Sequence, residues 1–277
     1  MLNWPRGAEP GPRNPHSKVN RPLHSITARL RRSPAARQAF RAAALLLICA
    51  AALQLVFAAR IALMNVLAPE STTFQRSEAW RLLVDKHHLS WSQQWVDAER
   101  ISVHLKRAVV ASEDSAFTEH AGVDWDAVEK AWTRNQRVEA RAGSQARQTP
   151  QRAAGKLVGG STITQQLAKN LFLSGERTGF RKAQELLLTW MLEALLSKQR
   201  ILEIYLNSVE WGEGLFGAQA AARHYYRVDA ARLGVEQSAR LAVMLPAPKR
   251  FEKSPGSAYV AGRAAVIAAR MDTVTLP

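Results

Sequence analysis

Residues 42–59 carry no charge and one strongly polar side chain, Gln54, and Arg41 and Arg60 bracket them. In lipid every backbone amide must find its partner within the segment, so an apolar run that crosses a bilayer has to be a helix. Crossing takes about 20 apolar residues. Apolar character resumes through Ile61-Ala62-Leu63-Met64 and Val66-Leu67 and stops at Pro69. The run therefore predicts one transmembrane helix over residues 42–66. A cleaved signal peptide is the rival reading. Against it, the run is long for a signal core, and no small-x-small cleavage site stands before Pro69.

Between Met1 and Arg41, nine Lys and Arg face one acid, Glu9. Positive flanks stay on the cytoplasmic side. Residues 1–41 are thus expected inside, as a basic tail whose Pro5, Pro10, Pro12, Pro15 and Pro22 favour disorder. The remaining two thirds of the chain is expected outside. A formal charge of +15 over 277 residues favours an anionic partner: nucleic acid, a phospholipid surface or a phosphorylated substrate. The single cysteine, Cys49, lies in the apolar run and excludes an intrachain disulfide.

Beyond Ser71 the pattern is helical, and the fold class is read as mainly α. Thr162 and Gln165 have capping-box spacing and predict a helix through Leu171. Asp124 can cap another through Val128 and Trp132. Over residues 181–197, Leu186, Leu187, Trp190, Met191, Ala194 and Leu195 recur every three or four positions. Further helices are predicted over 200–206, 218–226, 237–245 and 258–271, with a turn-rich break at Gly212, Gly214 and Gly217. Residues 136–158, rich in Arg, Gln, Ala and Gly, are expected to form a flexible basic insertion.

Two segments about fifty residues apart carry the chemistry: Glu113-Asp114-Ser115-Ala116-Phe117-Thr118-Glu119-His120-Ala121-Gly122-Val123-Asp124 and Gly159-Gly160-Ser161-Thr162-Ile163-Thr164-Gln165-Gln166-Leu167-Ala168-Lys169-Asn170. Glu113 ends an apolar stretch, where burial would raise its pKa and suit it to proton transfer. Phe117 is expected in the core. His120, alone, is more often structural; a metal trio of Glu113, His120 and Asp124 matches no trusted ligand spacing. In the second segment a Gly-rich turn and a helix start attract phosphate, and Lys169 adds a charge. Arg181 and Lys182 lie within a turn of Glu185: a pyrophosphate clamp on one reading, an i, i+4 salt bridge on the other. Lys198, Glu203, Tyr205 and Asn207 form a fourth polar group.

These four segments, in this order, resemble the main motifs of the peptidoglycan glycosyltransferases over residues 72–249. The chain has no Ser-x-x-Lys, so it looks like the monofunctional, membrane-anchored form. The resemblance implies a lysozyme-like glycosyltransferase domain over residues 72–277 with a small membrane-associated jaw. It implies polymerisation of lipid II with inversion, giving β-1,4-linked glycan and undecaprenyl pyrophosphate. Glu113 would be the base and Glu185 the second essential acid. Lys169, Arg181 and Lys182 would hold the pyrophosphate. Ser161, Thr162, Gln166 and Asn170 would line the donor side, and Asp114, Phe117 and His120 would support Glu113. Partners implied are lipid II, the growing glycan strand, the inner membrane and proteins of wall synthesis or division, with no nucleic acid and a periplasmic catalytic domain. Carboxylates near a pyrophosphate offer oxygen ligands to Mg²⁺ or Mn²⁺, without a dedicated cage. Two rival functions remain: a lysozyme-like enzyme that cleaves peptidoglycan, and a non-catalytic scaffold. Cleavage of a neutral glycosidic bond needs no cationic clamp, and a scaffold has no need of both acids.

Overall fold

A computed structural model describes residues 34–146, 160–173 and 178–277. Most of the basic tail, residues 147–158 of the expected insertion and Gly159 of the Gly-Gly pair lie outside the described residues. The chain divides into two units, Met1–Gln54 and Leu55–Pro277.

Helix α1 is Pro34–Leu63. It starts before the expected span, because Pro34 fits a first helical turn and the Ala-rich residues after it are strong helix formers. Its most apolar 18-residue window has a mean hydropathy of 2.4 and none of it is buried. Among the described residues it is the one helix long and apolar enough to cross a membrane. Within the second unit, the end of α1 is docked. Ile61 and Met64 are buried. Phe57 meets Phe172 edge-on at 5.4 Å, and Arg60 lies over the same ring. Arg200 donates to the carbonyls of Met64 and Leu67.

The second unit is built of helices α2 (Thr73–Lys86), α3 (Val103–Glu113), α4 (Trp125–Ala146), α5 (Ile163–Phe172), α6 (Gly179–Leu195), α7 (Lys198–Ser208), α8 (Ala218–Tyr226), α9 (Val235–Met244), α10 (Pro248–Phe251) and α11 (Ala258–Ala268). Three short strands, β1 (Ser92–Gln93), β2 (Glu210–Gly212) and β3 (Leu215–Phe216), form a sheet in the order β1-β3-β2. β1 runs parallel to β3 and β2 antiparallel to it. The sequence pattern did not show these strands, which are too short to display an alternation.

The core follows from helix faces. Leu105, Ala108 and Val109 of α3 are fully buried, and α3 packs on α9, which packs on α11. α5 buries Ile163, Leu167 and Leu171 and packs against α2, α6 and α7. In α7 every residue from Ile201 to Ser208 is buried, polar ones included. Asn207 is a latch: its Oδ1 accepts from the Val96 amide at 3.0 Å and its Nδ2 donates to the Val96 carbonyl at 2.9 Å.

The expected Thr162–Gln165 capping box and most helix ends hold to within a few residues. One expectation does not. α4 runs on to Ala146, so residues 136–146 are helical and not the start of a loop. Of the Arg, Gln, Ala and Gly that suggested a solvated insertion, all but Gly are themselves good helix formers.

Candidate active site

Because the apolar residues of α3 are buried, its last residue, Glu113, is held half-buried at the helix end. Asp114 turns out of the helix and is spent on two partners. Its Oδ1 is 2.9 Å from His120 Nε2, and its Oδ2 accepts the Ile163 amide at 3.0 Å. His120 Nδ1 in turn accepts from the Gly122 amide. These two bonds assign the ring hydrogen to Nε2. Gly122 has φ +86°, and a Cβ there would lie 2.6 Å from Thr189 Cγ2, so only glycine fits. Its carbonyl accepts from Thr162 Oγ1 at 2.6 Å, and Thr162 Oγ1 in turn accepts from the Gln165 amide to cap α5.

Two side chains of α5, Gln166 and Lys169, then act on Glu113. Gln166 Nε2 donates to Glu113 Oε2 at 2.8 Å, and Gln166 Oε1 accepts from the Tyr205 hydroxyl at 2.9 Å. Burial raises the Glu113 carboxyl above its ordinary value; the Gln166 bond and the Lys169 charge oppose this, and Asp114 adds to it. Beside Glu113 opens a polar pocket lined by Ser112, Asp114, Ser115, Asp124, Ser161, Thr162 and Arg270.

A second cluster sits on α6, which packs on α5. Glu185 is only 3% exposed. It accepts from Arg181 Nη1 at 2.8 Å and pairs with Lys182. The salt-bridge reading of this trio is thus present in the structure. It does not use up Arg181, whose Nε is buried without a hydrogen-bond partner. Such an orphaned donor is costly unless a ligand oxygen meets it.

The sequence-predicted residues divide accordingly. Glu113, Asp114, His120, Thr162, Gln166 and Lys169 come together around the end of α3. Arg181, Lys182 and Glu185 form the α6 cluster. Ser161 is exposed at the pocket, and Asn170 is buried on α5. Phe117 does not face the pocket. It is fully buried under Lys198, whose Nζ lies 4.5 Å above its ring, and it supports the site from beneath. Asp124 caps α4 through the Ala127 amide. Among the described residues no three His, Cys, Asp or Glu side chains form a group that could hold a metal. Two participants were missed as parts of the site. Arg270 follows α11, outside every motif. Tyr205 lay within the fourth polar group, but nothing local shows that its hydroxyl reaches α5.

A family model described as "Transglycosylase" matches residues 83–272. The chain is 54% identical over 220 residues to the biosynthetic peptidoglycan transglycosylase of Burkholderia lata, covering 79% of this chain and 83% of that one. It is 49% identical over 254 residues to the protein of the same name from Paraburkholderia xenovorans, covering 91% of this chain and 99% of that one. The transglycosylase domain is lysozyme-like, and the mainly helical second unit, with few strands, fits that class. By the match of its sequence, the chain belongs to the transglycosylase family.

Proposed function

We propose that the chain polymerises lipid II, with Glu113 as the base and the Arg181, Lys182 and Lys169 cations on the leaving pyrophosphate. Family membership makes it a peptidoglycan glycosyltransferase and disfavours the cleaving and scaffold alternatives. Glu113 takes the proton from the 4-hydroxyl of the acceptor GlcNAc. That oxygen attacks C1 of the donor MurNAc with inversion and forms the β-1,4 bond. The C1–O bond breaks, and its electron pair leaves on undecaprenyl pyrophosphate. The cations stabilise the charge developing there. Glu185 holds Arg181 and Lys182 in place. Ser161, Thr162 and Asn170 line the donor side, with Gln166 bridging to the base.

The observation that carries this reading is the setting of Glu113: a carboxyl raised by burial, on a polar pocket, with Lys169 close enough to act on it. A general base works best with a pKa near the working pH. The α1 anchor supports the same reading, since a lipid-linked substrate has to be met at the bilayer. Its flanking charge supports an inner-membrane protein with a cytoplasmic N-terminus and a periplasmic second unit. On α4, Trp125, Val128 and Trp132 share one exposed face, with Lys130 and Arg134 on the opposite side of the helix, an amphipathic pattern that suits a jaw lying on the membrane.

The test is glycan synthesis by the purified full chain from labelled lipid II. The wild type is expected to build long strands. Glu113→Gln is expected to lose roughly 10²–10⁴-fold in rate, the range for a positioned acid or base, and Glu185→Gln to lose strand synthesis because it releases Arg181 and Lys182. Normal strand growth by Glu113→Gln would remove the base assignment. Shortening of added glycan by the wild type would favour the cleaving alternative.

A further inference from the structure

We infer that Tyr205 is a positioning residue for the base: its buried hydroxyl fixes the Gln166 amide in the orientation that donates to Glu113. This inference rests on Glu113 being the base. Three helices meet in one relay, with Tyr205 on α7, Gln166 on α5 and Glu113 at the end of α3. The two bonds are 2.9 and 2.8 Å long.

The donor and acceptor inventory makes the relay directional. A side-chain amide has one oxygen that accepts and one nitrogen that donates, and an ionised carboxylate only accepts. With Tyr205 donating to Oε1, the amide nitrogen must point at Glu113. Turned over, the amide would set its own oxygen against a carboxylate oxygen, two acceptors with no hydrogen between them. Its nitrogen would then face a hydroxyl whose hydrogen needs another acceptor. Tyr205 is 1% exposed, so water cannot supply one freely. Burial, and then the charges of Glu113 and Asp114, disfavour ionisation of the phenol, so it stays a donor. The relay thus favours the carboxylate form of Glu113, the form that accepts a proton. The other charged or titratable groups facing Glu113 are Asp114 beside it, Lys169 on α5, and Asp124 and Arg270 on the shared pocket.

Without the hydroxyl the amide can turn, and its bond to the carboxylate weakens. A hydrogen bond to the charged form of an acid lowers its pKa, so losing it moves the pKa up.

The experiment compares the full chain with Tyr205→Phe, Gln166→Ala, the double variant and Glu113→Gln. The readouts are kcat/KM for lipid II across pH and the thermal midpoint. Phe keeps the ring and its packing. The acid limb of Tyr205→Phe is expected to move up by about 0.5–1 pH unit, a loss of about 3–10-fold below that limb. KM is expected to change by less than about twofold, since the binding groups are untouched. Gln166→Ala and the double variant should share one acid limb, because the tyrosine acts only through the amide. Additive shifts, or an unmoved limb with a lowered thermal midpoint, would show a merely structural tyrosine and overturn the relay. If Tyr205→Phe is too unstable to assay, Gln166→Ala decides alone: an unmoved limb overturns the proposal. A dead Glu113→Gln with an unmoved Tyr205→Phe limb sinks the relay only. An active Glu113→Gln sinks the base assignment and the relay with it.

Discussion

The Asp114 carboxylate accepts the backbone N–H of Ile163 at 3.0 Å, so α5 is capped by a residue 49 positions earlier in the chain. The bond joins the two segments that carry the chemistry. The negative charge also sits at the positive end of α5, where it is favourable. Asp114→Ala is expected to cost about 2–3 kcal/mol, the scale for hydrogen bonds to a charged group. Asp114→Asn is no safe replacement. Its amide nitrogen would face the His120 Nε2–H, and His120 cannot change tautomer while Gly122 donates to Nδ1. Urea denaturation checks both variants, and an unchanged midpoint in Asp114→Ala would refute the capping role.

Activity should fall in acid with an apparent pKa above the ordinary Glu value of about 4.3. The direction follows from Glu113, whose carboxyl is raised chiefly by burial. The same shift has a cost in stability. A raised acid contributes stability that is full below its unfolded pKa and is lost as pH rises through the folded one. Glu113→Gln should therefore be inactive yet melt higher than the wild type at pH 7, with the gain vanishing near pH 4. A lower midpoint for Glu113→Gln at pH 7 would contradict this.

Glu210 offers a second pH effect, away from the site. Its carboxyl is raised to about 7, first by burial and further by Glu78, with Lys249 and a Gly214 backbone bond opposing. Its contribution is full below the ordinary 4.5 and is lost as pH rises through about 7. Glu210→Gln should flatten the dependence of stability on pH between these values and raise the midpoint at pH 8. Parallel curves for wild type and variant would disprove it.

Arg181→Ala should lose more activity than Lys182→Ala. Arg181 keeps a buried, unpartnered Nε to offer a phosphate oxygen, whereas the Lys182 side chain is half exposed. Losses of about 10²-fold or more are expected for Arg181→Ala, as for other donors to developing charge. Steady-state rates with lipid II settle the order, and equal losses would remove the special place of Arg181.

Arg270→Ala should raise KM for lipid II by a few-fold or more with little change in kcat. Its side chain lines the pocket beside Glu113 but touches no group placed in the proton transfer, so its loss removes binding common to ground and transition states. A fall in kcat at unchanged KM would assign it a different role.

Much of this was written locally. The α1 run, the Thr162–Gln165 capping box and the three- to four-residue recurrence of Leu186, Leu187, Trp190, Met191, Ala194 and Leu195 are short-range patterns, and each became the expected helix, although the face that α6 buries is that of Leu188 and Leu192. The motif acids and cations were also legible as residues. Their partners were not. The sequence did not say that Asn207 would grip Val96, that Phe117 would lie beneath Lys198, or that Arg270 would line the pocket. Residues 136–146 misled because the same Arg, Gln and Ala serve a solvated loop and a helix equally well.

The sequence by itself determined an apolar N-terminal helix, the other helices and the residue types that can move a proton and hold a phosphate. These depend on backbone propensity, capping and periodicity, which act over a few residues. Only the tertiary structure decided which atoms meet: Tyr205 with Gln166, Gln166 with Glu113, Asp114 with the start of α5. Those contacts depend on how buried helix faces pack, and packing joins residues that no local pattern connects.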